Sequence, residues 1–300
     1  MQKKKTLQKS RSPLQSKSEV YLRNIVITTM LAFYLVFYII PIFIALDGSF
    51  HIWNPLNGKY VFNGLKNYER LLSNELFWTS GLNTIIFCLG VTVGRAALGF
   101  ACAYAIYSKL VTKKNFFRGV LYMPVISPMV GVAFVWKFMY NPQFGLINKL
   151  FGTDLNWLMN ADTALGAVMA MTIWKDFGYA VVLYMAALLA LDTSVLEAAD
   201  IDGCGAWDRL RTIIIPLISP TTFFIVVSSL ISYLQAYVQV LVLTEGGPGT
   251  TTYLTSYIIY NEAFVKYNFG SASAMSFVLF IFIGILTAIS FKLTGTEGGN

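Results

Sequence analysis

The residues of this chain that could perform metal or thiol chemistry are few and scattered. Cysteine occurs at positions 88, 102 and 204, and His51 is the only histidine. A structural zinc site or a disulfide framework needs several Cys or His residues at short, regular spacings. We therefore expect Cys88, Cys102 and Cys204 to be ordinary core residues, with no metal site in the chain.

The sequence also lacks recognisable motifs for catalysis and for nucleotide binding. No paired catalytic carboxylates, serine triad or metal-ligand cluster can be recognised. The phosphate-binding pattern G-x-x-x-x-G-K-[ST] is absent, because the nearest Gly-Lys pair, Gly58-Lys59, is followed by Tyr60. The sequence predicts neither an enzyme nor a cofactor bound by this chain, so any ATP-driven step requires another chain.

Four charged residues lie inside long apolar stretches, namely Arg95, Lys137, Lys175 and Asp176. Lys137 lies near the outer end of its stretch and is expected to extend its charge to the interface. A charge at mid-membrane costs about 3 kcal/mol, so such residues usually have a function or a partner. We expect Arg95 to face Asp176 across a helix bundle, as an ion pair or as a cavity wall. A proton relay is the other interpretation, although no histidine or further acidic residue continues a chain from Asp176.

A polar stripe marks the apolar run near residue 230. Serine and glutamine recur there at i, i+4, i+7 and i+11, one face of a helix, with tyrosines beside them. Hydroxyls, amides and aromatic rings are groups that suit a sugar. They also bond neighbouring helices together in membranes, so a purely structural role stays open. A polar face on an apolar helix can line a path for a polar solute through a membrane. The predicted pathway residues are Ser228, Ser232, Tyr233, Gln235, Tyr237 and Gln239.

The elements that must position these side chains follow from composition. Hydrophobic residues make up 56% of the 300 residues and charged residues 12%, with a mean hydropathy of +0.61. Soluble domains carry about 25% charged residues. Aromatic residues reach 15%, which suits a protein with two membrane interfaces. The chain is therefore predicted to be an integral membrane protein.

Six apolar runs are each long enough to cross a bilayer of about 30 Å as a helix. They span residues 24–46, 82–107, 117–138, 163–190, 214–243 and 271–293. Unbroken runs of this length exclude the alternating pattern of a barrel, so the predicted fold is all-α, with six transmembrane helices in one domain, 24–293. Pro124 and Pro128 should bend the third span, and Gly90 and Gly94 should let another helix approach the second closely.

Orientation follows from the basic residues. The opening segment, residues 1–23, is basic and has no periodic pattern of apolar residues, so it is predicted to be an unstructured cytoplasmic tail. With six spans, 14 lysines and arginines lie on the side of the termini and five on the other. The positive-inside rule then makes both termini cytoplasmic in the cell membrane. The net charge of +7 thus indicates topology rather than nucleic-acid binding.

The connection 191–213 differs from the other loops. Ser194 and Glu197 fit a capping box, and Gly203 or Gly205 can end a helix in the left-handed conformation. This predicts a short amphipathic helix on the cytoplasmic face. Its apolar patch would consist of Val195, Ala198, Ala199 and Ile201.

That connection resembles the EAA loop of permease subunits in type I ATP-binding-cassette importers. The resemblance rests on Glu197-Ala198-Ala199, Asp202-Gly203, Ile213 and Pro216. Further similarity lies in Pro124, Trp136, Gly145, Asn148, Trp157, Trp174 and Gly178, and in Leu243-Thr244-Glu245-Gly246-Gly247-Pro248, which is similar to the LTxGGP signature of carbohydrate permeases such as the maltose system's F subunit. Cys204 and Ile215 depart from the usual Ala and Leu, as small apolar exchanges.

The resemblance implies a function and a set of partners. It implies that Glu197, Ala198, Ala199, Asp202, Gly203 and Gly205 couple the permease to a cytoplasmic ATPase. Glu197 as a helix cap alone is the simpler alternative. The implied assembly contains a second homologous permease, two ATPase subunits that bind ATP and Mg, and an extracytoplasmic binding protein, and it imports a sugar, an oligosaccharide or a glycerol-phosphate-like solute.

A transporter of another class remains as a second hypothesis. An ion-coupled secondary transporter would use Arg95, Lys175 and Asp176. Its usual mark is an inverted repeat with broken helices in matching positions, which the sequence does not display.

Overall fold

The computed structural model describes residues 17–108 and 111–295, and helices dominate it. Within those residues the β structure is one antiparallel hairpin, β1 (His51–Asn54) and β2 (Lys59–Phe62). Four helical stretches are long and apolar enough to cross a membrane, and up to six if each of two bent helix pairs counts as one span. The predicted all-α membrane fold is confirmed.

The first span consists of α1 (Lys17–Tyr34) and α2 (Ile40–Ser49), joined by the π-helical segment Leu35–Ile39. Every residue from Tyr21 to Ile44 is exposed, and the span packs against the last helix of the chain through α2. The predicted tail, residues 1–23, was too long because its last residues, 17–23, lie in α1. Residues 1–16 lie outside the described part of the chain.

The connection after the first span is ordered by aromatic contacts that were not predicted. The hairpin is followed by α3 (Lys66–Leu72). His51 stacks on Tyr60 with ring centroids 4.2 Å apart, and Trp53 lies against Phe269 at 5.3 Å. The hairpin is thereby tied to the start of the last span.

Two long helices form the centre of the bundle, α4 (Glu75–Tyr107) and α8 (Ala164–Leu189). A Cβ atom on Gly94 would lie 2.5 Å from Ile173 Cδ1, and one on Gly90 2.7 Å from Met169 Sδ. A Cβ atom at either place would have to push the end of a side chain on α8 aside, so glycine lets α8 lie close to α4. The predicted close approach at Gly90 and Gly94 is therefore confirmed.

The third apolar run is two helices, α5 (Lys114–Ile126) and α6 (Met129–Met139), which meet at 99°. Ser127 is extended, with ψ 140°, as steric contact with a following proline requires. The break therefore falls at Ser127-Pro128, and Pro124 lies inside α5. The predicted bend is confirmed, but its sharpness goes beyond a kink within one continuous helix.

The fifth apolar run, predicted as one span over 214–243, is interrupted twice. A short helix, α7 (Leu146–Phe151), precedes α8. After α8 the chain forms α9 (Thr193–Ile201), α10 (Ala206–Arg209), a π-helical segment (Leu210–Ile214), α11 (Ile215–Leu217), α12 (Ser219–Leu234) and α13 (Val238–Leu243). The axis turns by 63° between α11 and α12. Continuous apolarity here conceals this change of direction and a second interruption at 235–237.

Side chains satisfy the backbone where α12 ends and α13 begins. The amide nitrogen of Gln235 donates to Ser232 O at 3.3 Å rather than continuing the ladder. The carbonyl oxygen of Ile231 instead accepts from Gln235 Nε2 at 3.0 Å, and that of Leu234 accepts from Ser256 Oγ at 3.1 Å. An unpaired carbonyl in an apolar medium costs several kcal/mol, so these two side chains stabilise the interruption.

The last elements complete the bundle. They are α14 (Thr255–Tyr260), the π-helical segment Asn261–Val265 and α15 (Phe269–Gly295). α15 packs against α2, α3 and β1, while α8 packs against α4 and α5. The core lies between α4, α8 and α12, where Phe87, Met171 and Ile225 are fully buried.

Candidate functional site

The short helix α9 is held against one end of the bundle by its inward face. Ala199 is 5% exposed, and Leu196 packs on a buried cluster that includes Ile106, Leu188 and Ile214. A cavity of about 290 Å³ separates part of α9 from the last turn of α4. Its lining includes Tyr104, Tyr107, Ser108, Thr193, Glu197 and Arg209.

The N-terminal cap of α9 is Asp192 rather than the predicted Ser194. The helix begins at Thr193, and Asp192 Oδ1 accepts from the backbone amide of Ser194 at 2.9 Å. The hydrogen bonds from Ser194 hold the pKa of Asp192 below its usual range. Glu197 is exposed and lies at the cavity, so a cap alone does not account for its position.

Gly203 ends α9, as one of the two predicted possibilities. Its φ of +74° is in the left-handed region, and the amide of Cys204 donates to Ala199 O at 3.0 Å, as in a Schellman-type end. Gly205 is extended, with ψ 158°, and precedes α10. The two glycines therefore have separate backbone roles.

The outward face of α9 and α10 is apolar and open. Ile201 is 86% exposed, Trp207 69% and Val195 41%, and Ala198 is also exposed. Ala199 was wrongly predicted in this patch, because its Cβ points to the bundle. The predicted coupling residues Glu197, Ala198, Asp202, Gly203 and Gly205 lie on the exposed side of the segment, and Ala199 on its buried side.

A buried polar cluster lies midway along α4, α8 and α12. Arg95 is 7% exposed, and its Nη1 donates to Ser229 Oγ at 2.9 Å and to Tyr233 OH at 3.5 Å. Tyr233 OH in turn donates to Asp176 Oδ2 at 3.1 Å. Arg95 and Asp176 thus share a tyrosine hydroxyl instead of forming a direct ion pair, and both line a cavity, which was the other expectation. The guanidinium also lies 5.0 Å from the ring centroid of Tyr179.

Lys175 and Asp176 pair with each other although they are adjacent in sequence. Lys175 Nζ lies 3.2 Å from Asp176 Oδ1 and 3.4 Å from Val125 O. Lys175 is buried and Asp176 half-buried. The pair links α8 to the last turn of α5, close to the break at Pro128.

The predicted pathway residues divide into two groups. Ser228 is half-buried and Ser232 and Gln235 are exposed, along one side of α12. Tyr233 is 3% exposed and belongs to the polar cluster. The continuation of the stripe was wrong: Gln239 lies on α13, where it is 5% exposed, and Tyr237 precedes that helix. The break at 235–237 ends the periodicity on which the prediction depended.

The segment after α13 folds back on itself and contacts α4. Thr252 Oγ1 donates to Gly247 O at 2.7 Å and lies 2.8 Å from Thr244 Oγ1. Asn83 Nδ2 donates to Thr250 O at 3.0 Å and to Tyr253 O at 3.2 Å. Residues 243–248 were singled out from the sequence, but Asn83 was not. An apolar helix pattern does not indicate that Asn83 contacts a loop so much later in the chain.

Comparison with known proteins identifies relatives along most of the chain. The family described as "Binding-protein-dependent transport system inner membrane component" matches residues 95–294. The sn-glycerol-3-phosphate transport system permease protein UgpA of Agrobacterium fabrum is 34% identical, over 77% of this chain and 80% of its own length. The probable starch degradation products transport system permease protein AmyD of Thermoanaerobacterium thermosulfurigenes is 30% identical, over 85% and 88%.

A solved structure shares the fold. It is that of a bacterial alginate ABC transporter in complex with an alginate-pentasaccharide-bound periplasmic protein. The match has a TM-score of 0.75 at 19% identity and covers 91% of this chain and 93% of that one. Since the family pattern extends over two thirds of the sequence, the chain belongs to the inner membrane components of binding-protein-dependent transport systems.

Proposed function

We propose that this chain is one of two permease subunits of an ABC importer that moves a sugar or oligosaccharide into the cytoplasm. The observation that carries the proposal is α9, a helix anchored to the bundle by Leu196 and Ala199 while its other face is open. A helix held on one side and apolar on the other is suited to bind a partner and transmit movement to the membrane helices. Family membership removes the reason for the ion-coupled alternative.

The partner at α9 is a cytoplasmic ATPase subunit that binds ATP and Mg. The distribution of basic residues supports a cytoplasmic position for α9 and for both termini. Ile201 and Trp207 are the large apolar side chains available there for a groove on the ATPase. Two ATPase subunits serve the two permeases, and hydrolysis itself takes place outside this chain.

A second homologous permease is supported by the surfaces this chain leaves open. The first span is exposed from Tyr21 to Ile44, and α12 with its C-terminal cap exposes the polar side chains of Ser232 and Gln235. Polar side chains inside membranes usually face protein or water rather than lipid. The polar side of α12 therefore faces the partner permease, with the substrate path between them, while an extracytoplasmic binding protein delivers the substrate.

The substrate class follows from the relatives and from the side chains at α12. The relatives are named for starch degradation products and glycerol 3-phosphate, and the structural neighbour for alginate. Ser228, Ser232 and Gln235 offer hydroxyl and amide groups that both donate and accept, as sugar hydroxyls require. We therefore place a carbohydrate along this side of α12.

Uptake of radiolabelled sugar in proteoliposomes that contain the chain and its partners tests the proposal. Glu197→Lys should abolish ATP-dependent uptake while the protein still inserts, because it reverses a charge on the docking side of α9. Glu69→Lys is the matched control, since Glu69 is an exposed carboxylate on α3, which precedes the other end of α4. With 33 residues, α4 separates the two sites by about 50 Å.

Gly203→Pro provides a second, independent variant. Proline cannot adopt the φ of +74° observed at this position, so the end of α9 must rearrange. ATP hydrolysis by the assembled complex should then continue without sugar uptake. Uptake that follows an ion gradient without any ATPase would contradict the proposed function.

A further inference from the structure

The polar cluster around Arg95 encloses a cavity that no structural role accounts for. The cavity has a volume of about 290 Å³, near the lower end of small-molecule pockets at about 300 Å³. Its lining includes Arg95, Asp176, Tyr179, Ser228, Ser232 and Tyr233. Since Ser232 is exposed, the cavity opens on the same side of α12 that carries the proposed substrate path.

The charges around the cavity do not cancel. Asp176 is engaged by Lys175 at 3.2 Å and by the hydroxyl of Tyr233. Arg95 has no carboxylate within ion-pair distance among the described residues, and its Nε, buried, lacks any hydrogen-bond partner there. Two cations and one carboxylate therefore leave one positive charge at this depth in the membrane.

A buried guanidinium without a counter-ion is costly, and a ligand that supplies the missing negative charge recovers that cost. Arginine binds carboxylate and phosphate through parallel N–H donors, which distinguishes these groups from a neutral hydroxyl. We propose that Arg95 is a specificity-determining residue for an anionic substituent of the transported carbohydrate, a carboxylate or a phosphate. This inference rests on the proposed function and adds the chemical class of the substrate.

The geometry assigns separate roles to the neighbours of Arg95. Ser229 and Tyr233 hold one nitrogen, Nη1, and the ring of Tyr179 lies 5.0 Å from the guanidinium carbon. These contacts hold one side of the guanidinium, and Nε remains buried without a hydrogen-bond partner among the described residues. Ser228 and Ser232 supply hydroxyls for the sugar ring beside the anionic group.

Equilibrium binding tests the inference on the complete membrane complex, with its permease and ATPase partners, in lipid nanodiscs without the binding protein. The probes are trigalacturonate, sn-glycerol 3-phosphate and the neutral maltotriose. We expect at least one acidic probe to bind about tenfold or more tightly than maltotriose, and Arg95→Gln to remove that preference. Arg95→Lys should keep part of it, because the charge remains without the planar fork.

Lys137→Gln is the matched control, since it removes a positive charge whose Nζ donates to Val242 O, away from the cavity. It should leave the preference unchanged. If the binding of only one acidic probe depends on Arg95, the recognised group is the one that this probe carries, carboxylate for trigalacturonate or phosphate for sn-glycerol 3-phosphate. Equal binding of acidic and neutral probes, no binding of any probe, or an acidic preference that survives Arg95→Gln overturns the inference.

Uptake measured on the same complex separates this inference from the proposed function. The complex is supplied with its own binding protein and the sugar that protein retains. ATP-dependent uptake without Arg95-dependent binding leaves the importer standing and removes only the anionic class. Loss of ATP dependence in the wild type contradicts the proposed function itself.

Discussion

Gly178 on α8 lies directly against the backbone carbonyl oxygen of Leu121 on α5, so closely that no Cβ atom fits between them. The contact involves backbone on both sides, so neither partner can move away by changing a rotamer. Lys175 binds the carbonyl oxygen of Val125 one turn further along the same two helices. Gly178 therefore sets the distance at which α5 passes the polar cluster.

Gly178→Ala is expected to destabilise the protein by about 1–3 kcal/mol, since one added methyl group must displace backbone. Gly166→Ala on the same helix is the control, because a Cβ there meets nothing within 4 Å and alanine favours a helix. Thermal unfolding in detergent, followed by size-exclusion chromatography, measures both. Equal midpoints for the two variants would contradict the close contact.

Replacement of the α9 cap should loosen that helix locally. Asp192→Ala removes the acceptor for the amide of Ser194, and we expect amides in the first turn to exchange roughly fivefold faster. Hydrogen exchange with mass spectrometry measures this, and Ser194→Ala should change exchange less. Faster exchange in Ser194→Ala than in Asp192→Ala would restore Ser194 as the cap.

The same cap should weaken in acid. Because its folded pKa is lowered, ionised Asp192 stabilises α9 above the carboxyl's usual pKa, and this contribution is lost as pH falls through the folded value. Asp192→Asn should therefore diminish the pH dependence of exchange in the first turn of α9 below about pH 4. If exchange in Asp192→Asn depends on acid as steeply as in the wild type, another titrating group causes the dependence.

Substitution of the open face of α9 and α10 should weaken ATPase binding without loss of fold. Trp207→Ala removes a side chain that is 69% exposed, and Ile201→Ser one that is 86% exposed. A docked aromatic anchor contributes about 2 kcal/mol or more, so co-purification of the ATPase should fall by about 30-fold or more for Trp207→Ala. Phe62→Ala, equally exposed on β2, is the control. Unchanged co-purification in both α9 and α10 variants would exclude this face.

Cysteine accessibility should divide the polar residues of α12 as their exposure does. In a background without Cys88, Cys102 and Cys204, cysteine at Ser232 or Gln235 should react with a membrane-impermeant thiol reagent, and added substrate should slow the reaction. Ser229 is fully buried, so Ser229→Cys should react more than about tenfold more slowly. Equal rates at the three positions would contradict a path along α12.

The sequence predicted the helices well where one apolar run is one straight helix. The run 163–190 corresponds closely to α8, Ala164–Leu189. It could not place the breaks at Ser127-Pro128 and at 235–237, because hydropathy stays high across both and records nothing of backbone direction. Gln235 was recognised as polar, but its bond to the carbonyl of Ile231 depends on a break that only the packed bundle imposes.

Parts of the candidate site likewise could not be predicted from the sequence pattern. Asp192 and Ser194 are both good caps two positions apart, and where the helix starts decides between them. Ala198 and Ala199 are chemically identical, and only contact with the bundle tells which one is buried. Arg95 and Asp176 were correctly placed in one region, whereas the intervening hydroxyl of Tyr233 was not foreseen.

The interruption between α12 and α13 bears on the tightness of the membrane. A broken helix whose carbonyls were satisfied by water would offer a file of water molecules along which protons could leak. Here Gln235 and Ser256 supply those hydrogen bonds from the protein itself. These two carbonyl oxygens therefore need no water as a hydrogen-bond partner, so no water molecule has to be held at the interruption as the transporter cycles.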